Sequence, residues 1–199
     1  MACEFSGRVR DAFIKQGHDA VSCDLLPSEA LGPHIQGDVI PHLNDGWELM
    51  IAHPPCTHLA VSGARHFKYK QREQEEALEF VRVLLNAPIP RIALENPVSI
   101  ISSRIRQPDQ IIQPWMFGES YQKTTCLWLK NLPHLKPTKI VDRGEMTVFK
   151  SGKKQPKWYA DAKSLPNKGW KIVRSRTFQG IADAMADQWG KSYPLQITL

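Results

Sequence analysis

Residues 49–56 read LMIAHPPC, and this stretch decides how the chain is organised. Leu49–Ala52 is a short run of consecutive apolar residues without the alternation of a half-exposed strand, which predicts a buried strand. It runs directly into His53-Pro54-Pro55-Cys56. Each proline sets its own φ and restricts the residue before it, so Cys56 is expected on a stiff loop at the carboxyl end of that strand.

Working outward, short strands and helices alternate. Upstream, Val9, Ala12, Phe13 and Gln16 follow helical spacing and Gly17 supplies a stop signal; Ala20–Cys23 predicts a strand ending in Asp24, and Gly37–Ile40 closes another strand turn at Asp38. Downstream, the spacing predicts a helix over residues 70–86. Ala77, Phe80, Val81, Leu84 and Leu85 share one face, Arg72, Glu75, Glu76 and Glu79 cover the other, and Pro88 and Pro90 end it. Ile92–Leu94 is a predicted strand ending in Glu95-Asn96-Pro97, and Thr125–Leu129 another; Ile181, Ala184, Met185, Gln188 and Trp189 mark a final amphipathic helix. Such alternation predicts an α/β fold whose sheet is mostly parallel, with helices on both faces. Ligands of such folds bind at the carboxyl ends of the strands, where Asp24, Asp38, Cys56 and Glu95 are all expected.

Length and composition set the outer bounds. The chain has 199 residues, 42% hydrophobic and 23% charged, which suits one domain with one sizeable core. No apolar run approaches the roughly 20 residues of a membrane span, and Met1 does not open a signal peptide. Cys3, Cys23, Cys56 and Cys126 lie far apart without a CxxC pair, which argues against a zinc ribbon or a disulfide framework and suits a reducing cytoplasm.

The net charge of +6 is unevenly spread. Residues 136–176 hold twelve Lys/Arg against three Asp/Glu, so the rest of the chain is net acidic. Phe149, Trp158, Tyr159 and Trp170 lie among these cations. Clustered positive charge with interleaved aromatics serves phosphate neutralisation and base stacking, although a solvated basic surface reads the same way. The chain therefore divides into a core (1–135), a small basic, loop-rich insert (136–173) and a C-terminal helix returning to the core (174–199).

Two residues carry chemistry in their own right. A thiolate is the strongest side-chain nucleophile near neutral pH, and His53 and His58 flank Cys56, placed either to lower its pKa or to bind a metal with it. Glu95 follows an apolar strand, so desolvation is expected to raise its pKa and let it hold a proton against a ring nitrogen and an exocyclic amine.

Phe5-Ser6-Gly7, Asp24, Asp38, Pro54-Pro55-Cys56 and Glu95-Asn96-Pro97 occur in that order. In this order and spacing the chain resembles the cytosine-5 DNA methyltransferase family, especially its compact phage versions. The segment Arg174-Ser175-Arg176-Thr177-Phe178-Gln179-Gly180-Ile181-Ala182 resembles the family's closing motif. The likeness covers roughly residues 2–135 and 174–190, and implies a Rossmann-like, S-adenosylmethionine-dependent fold. By that resemblance Phe5, Ser6 and Gly7 line the cofactor site, Asp24 with Leu25 bonds the ribose, and Asp38 with Val39 and Pro54 contacts the adenine. Cys56 adds to carbon 6 of a flipped cytosine, Glu95 holds the ring nitrogen and amine, and Lys123 stands where the family supports the base with arginine. The insert becomes the target-recognition region, of short sequence specificity or little of it, with Lys153, Lys154, Lys157, Arg174 and Arg176 contacting double-stranded DNA. The donor is S-adenosylmethionine or a modified form of it, no metal is implied, and the expected protein is a monomer in the cytoplasm, the host's where the gene is phage-borne.

The chain departs from the family pattern in places. Only Met1-Ala2-Cys3 and Glu4 precede the Phe-Ser-Gly turn, Arg8-Val9-Arg10 replaces a glycine-rich continuation, Asp24 replaces a glutamate, and Gln122-Lys123-Thr124-Thr125 replaces an arginine motif. Three other readings stay open. A free-nucleotide (dCMP or dUMP) methylase or hydroxymethylase also places its cysteine after prolines. A degenerate methyltransferase fold would bind DNA without turnover. His53, Cys56 and His58 have zinc-ligand spacing but no visible fourth ligand.

Overall fold

The structure, a computed structural model, describes residues 1–166 and 169–191. The expected C-terminal unit therefore lies outside the described residues from position 192 onward. The fold is α/β with a sheet of mixed orientation.

Helix α1 (Arg8–Lys15) buries Val9, Ala12 and Phe13 and is closed by Gly17 at φ 86°. The His18 N–H reaches back to the Phe13 carbonyl and the Gly17 N–H to that of Ile14, the two bonds by which a left-handed glycine ends a helix. Next come β1 (Ser22–Asp24), β2 (His34–Gln36) and β3 (Leu49–Ala52). Helix α2 (Gln71–Leu85) follows, with Gln74, Leu78, Val81 and Leu84 facing the core, so its buried seam is centred on Leu78. Then come β4 (Arg91–Asn96), a short α3 (Ile101–Arg104), β5 (Gln110–Ile112) and β6 (Thr125–Lys130).

β1 and β2 pair in parallel, as do β3 and β4. Ala2 bridges the two pairs, parallel to Cys23 on one side and Ala52 on the other. Beyond β4 the orientation changes: β6 is antiparallel to β4, and β5 antiparallel to β6. The expected mostly parallel sheet is thus a mixed one. The physical reason lies in residues 113–124, which join β5 to β6 without an α-helix, whereas parallel neighbours need a crossover.

Side chains alternate between the two faces of the sheet. Met50, Ala52, Ile92, Leu94, Cys126 and Trp128 pack toward α2; Ile51, Ala93 and Leu127 pack toward α1 and the last helix, α6 (Gln179–Trp189). Helices therefore cover both faces. Among the described residues no helix is long and apolar enough to cross a membrane.

The basic insert is more ordered than a loop. Strands β7 (Met146–Val148) and β8 (Lys154–Pro156) form a hairpin that turns at Gly152 (φ 78°), followed by α4 (Lys157–Ala162) and α5 (Gly169–Ser175). Trp158 docks this unit on the core: its indole N–H donates to the Gln122 carbonyl (3.1 Å), and its ring meets Phe178 edge-on at 5.5 Å.

Candidate active site

Cys23, Ala2, Ala52 and Leu94 form one row across neighbouring parallel strands. One residue further along stand Asp24, Cys3, His53 and Glu95, which therefore share the carboxyl edge of the sheet. Two groups of side chains converge there.

The first surrounds Cys3. Burial, together with the nearby Asp24, Cys23 and Asp38, pushes its thiol up to about 12. Asp24 and Asp38 thus both act on Cys3 at this edge of the sheet. Each spends Oδ1 on its own loop, accepting from the Leu26 N–H (2.9 Å) and the Ile40 N–H (3.0 Å), and Oδ2 has no hydrogen-bond partner among the described residues. Leu25 is exposed and Val39 buried. Between this group and α1 runs the Phe5-Ser6-Gly7 turn, with Gly7 at φ 74°. Glu4, which the sequence reading passed over, organises the turn: its buried Oε1 accepts from the Ser6 hydroxyl (2.7 Å) and the Val9 N–H (3.4 Å). Arg10, also unforeseen, is fully buried and donates to Ser22, Ser28 and the carbonyls of Ala30 and Leu31. A Cβ at Gly7 would stand 2.6 Å from its guanidinium, so the space that a glycine-rich continuation leaves open is filled here by Arg10.

The second group surrounds Cys56, which is half-buried and free. Its carbonyl accepts from the Leu59 and Ala60 N–H groups (3.1 and 2.9 Å). Asn96 Nδ2 donates to the Pro54 carbonyl (2.9 Å), and Ala60 bridges to Ser99, so both ends of the cysteine loop are tied to the end of β4 and the loop after it. Burial raises the thiol pKa and the Glu95 charge raises it further; Arg174 and Lys123 act in the opposite direction. The structure thus brings Cys56, Glu95, Lys123 and Arg174 together.

Glu95 differs from expectation in two respects. It lies within β4 rather than after it, and its carboxyl is ionised more readily than usual. Burial favours the protonated form, but the Lys123 charge and the hydrogen bond from His53 outweigh it and hold the pKa at about 2. His53 Nδ1 lies 2.8 Å from Glu95 Oε2, with the two side chains 8% and 10% exposed. His53 therefore serves Glu95, not the thiol. Among the described residues no group of His, Cys, Asp or Glu side chains is placed to hold a metal ion, His53, Cys56 and His58 included.

A strap over residues 174–178 joins the two groups. Arg8 donates to the Thr177 carbonyl (2.9 Å), Lys123 Nζ to that of Arg176 (3.4 Å), and Arg176 forms a two-point pair with Glu29 (2.7 Å for both bonds). The expected DNA-contacting cations consequently divide. Lys153 and Lys154 are exposed on the β7–β8 hairpin. Lys157 pairs with Asp161 (2.8 Å), Arg176 is committed to Glu29, and Arg174 stacks 4.1 Å from the centre of the Tyr159 ring and 5.4 Å from that of Trp170.

No protein-family model matches the chain, and no curated protein matches it.

Proposed function

We propose that the chain transfers a methyl group from S-adenosylmethionine, or a modified form of it, to carbon 5 of cytosine in double-stranded DNA through a covalent Cys56 adduct. The observation that carries this reading is the meeting of Cys56 with Glu95, Lys123 and Arg174 at the carboxyl edge of the sheet, beside Asp24 and Asp38. The strand order supports it. Taking Ala2 as the first strand, the parallel part reads 3-2-1-4-5, the Rossmann order, whose switch point falls between Ala2 and β3. The Phe5–Gly7 turn and the cysteine loop flank that switch point.

The residues present fit the cofactor. Asp24 and Asp38 offer one unbonded carboxylate oxygen each for ribose hydroxyls and the adenine amine, and Phe5 is half-buried. When bound, the cofactor would supply an electrophilic methyl group, its sulfonium sulfur keeping the electron pair as the departing thioether. Cys56 Sγ loses its proton and bonds to carbon 6 of the base, which makes carbon 5 nucleophilic. The ionised Glu95 accepts a hydrogen bond from the exocyclic amine and so orients the base, the ring nitrogen takes a proton from solvent as electrons reach it, and Lys123 and Arg174 favour the thiolate. After transfer, carbon 5 gives its proton to water, the C6–S bond breaks with its electron pair returning to sulfur, and the ring nitrogen releases its proton, restoring thiolate and aromatic ring. The base must leave the duplex for this attack, and the exposed Lys153 and Lys154 of the insert are placed to meet the phosphates of the opened strand.

The test is transfer of a labelled methyl group from S-adenosylmethionine to duplex DNA, followed by digestion to nucleosides. Labelled 5-methylcytosine formed by the wild type and absent with Cys56→Ala is the expected result. Label on free dCMP but never on duplex would replace this reading with a nucleotide-modifying one.

A further inference from the structure

We propose that His53 is a positioning residue for Glu95: its Nδ1–H anchors Oε2, so that Oε1 is the carboxylate oxygen presented to the base. The inference rests on the transfer reaction above and assigns a task to a residue which that chemistry leaves unused.

The geometry specifies the arrangement from the backbone upward. Parallel pairing of Ala52 with Leu94 puts His53 and Glu95 side by side one residue later. The His53 backbone is held on both sides. Its N–H donates to the Ala2 carbonyl (2.9 Å), and Pro54 confines its ψ to extended values. The ring, 8% exposed, has little room to swing. An ionised carboxylate only accepts hydrogen bonds, so Nδ1 carries the proton in the 2.8 Å contact. Nε2 is buried with no hydrogen-bond partner among the described residues, so the Glu95 bond is what orients the ring.

At the other end of the contact, Oε1 has no hydrogen-bond partner among the described residues. A carboxylate fixed at one oxygen and by the strand beneath it has a single approach left for a base. Free rotation of that group would spread Oε1 over several directions, and an ångström of misplacement costs on the order of a hundredfold in rate. The alternative task for His53, deprotonating Cys56, finds no hydrogen bond between them in the structure.

Two variants of the full chain separate the possibilities. His53→Phe keeps a flat ring and removes the donor; His53→Asn returns a donor near the position of Nδ1. Each is followed by single-turnover adduct formation with a 5-fluorocytosine duplex, by S-adenosylmethionine affinity, and by the carboxyl ¹³C titration of Glu95. The expected outcome is that His53→Phe slows the adduct roughly tenfold to a hundredfold at unchanged cofactor affinity. It also moves the Glu95 titration upward, and His53→Asn recovers most of both. A wild-type rate in His53→Phe overturns the proposal, as does an Asn variant as slow as Phe with Glu95 titrating normally in both. If the wild type forms no adduct on any duplex, it is the transfer reading that fails; the carboxyl titration still decides whether His53 anchors Glu95.

Discussion

The Asn96 side-chain amide donates to the Pro54 carbonyl across 2.9 Å, and through that bond the strand carrying Glu95 positions the loop carrying Cys56. Nucleophile and carboxylate are therefore not independent. Replacing Asn96 by Ala strands a buried carbonyl, with an expected loss of about 1–3 kcal/mol in urea unfolding. The same variant loosens the cysteine loop, so adduct formation is expected to slow by more than the stability change alone would explain. A fully stable Asn96→Ala protein with normal adduct formation would uncouple the two elements.

The Cys56 thiol titrates above its ordinary range, because burial and the Glu95 charge both penalise the thiolate. At neutral pH only a minor fraction is ionised, and that fraction grows as pH rises. Single-turnover adduct formation is expected to climb with a slope of about one per pH unit on the alkaline side of neutrality. Arg174 and Lys123 favour the thiolate, so Arg174→Met or Lys123→Met shifts this climb to higher pH. A flat profile would mean that thiolate formation does not limit the step.

Glu95 titrates far below the usual carboxylate range. Despite burial, which acts the other way, the Lys123 charge and the His53 bond favour its ionised form. A depressed folded-state pKa contributes stability above the unfolded value, near 4.5, and that contribution disappears as pH falls toward about 2. The stability difference between wild type and Glu95→Gln is therefore expected to shrink through that window. In the reaction Glu95→Gln should lose about 10²–10³ in rate, the scale of one transition-state contact. A loss under fivefold in single-turnover transfer would leave Glu95 with the structural part only.

Much of this was legible in the sequence, and the failures have physical causes. Leu49–Ala52 stood out because apolar residues run straight into two prolines. β2 did not, since His34-Ile35-Gln36 has one apolar residue and exists through its pairing with β1. The strand before Glu95 was expected to stop at Leu94 because Glu and Asn read as polar punctuation. They remain in the ladder, where His53 and Lys123 support the Glu95 charge and the Pro54 carbonyl accepts from the Asn96 amide. Arg10 reads as a surface cation; Asp11, Ser22 and the folded loop over residues 28–33 together bring it enough acceptors to be buried. In the insert, Lys, Pro and Gly masked a hairpin and two short helices whose apolar anchor is Trp158.

The cations around the insert are expected to separate by what already holds them. Lys153 and Lys154 are exposed, so Lys153→Gln with Lys154→Gln should reduce the salt slope of DNA binding by about two. Arg176→Gln should leave the slope unchanged, because Glu29 already neutralises that guanidinium. Its cost in stability is expected below about 1 kcal/mol, given the partial exposure of the pair. Equal slopes for wild type and the double lysine variant would remove the hairpin from the DNA interface.

The mechanism turns on a bond between Cys56 and carbon 6 of cytosine in a duplex. Intact-mass measurement after incubation with a 5-fluorocytosine duplex and S-adenosylmethionine addresses it most directly, because fluorine at carbon 5 cannot leave as a proton does and the adduct is trapped. A cofactor-dependent species with the mass of protein, DNA and one transferred group is expected, mapping to the Cys56 peptide and absent from Cys56→Ala. An adduct through another cysteine, or none on any duplex while the cofactor binds, would contradict it.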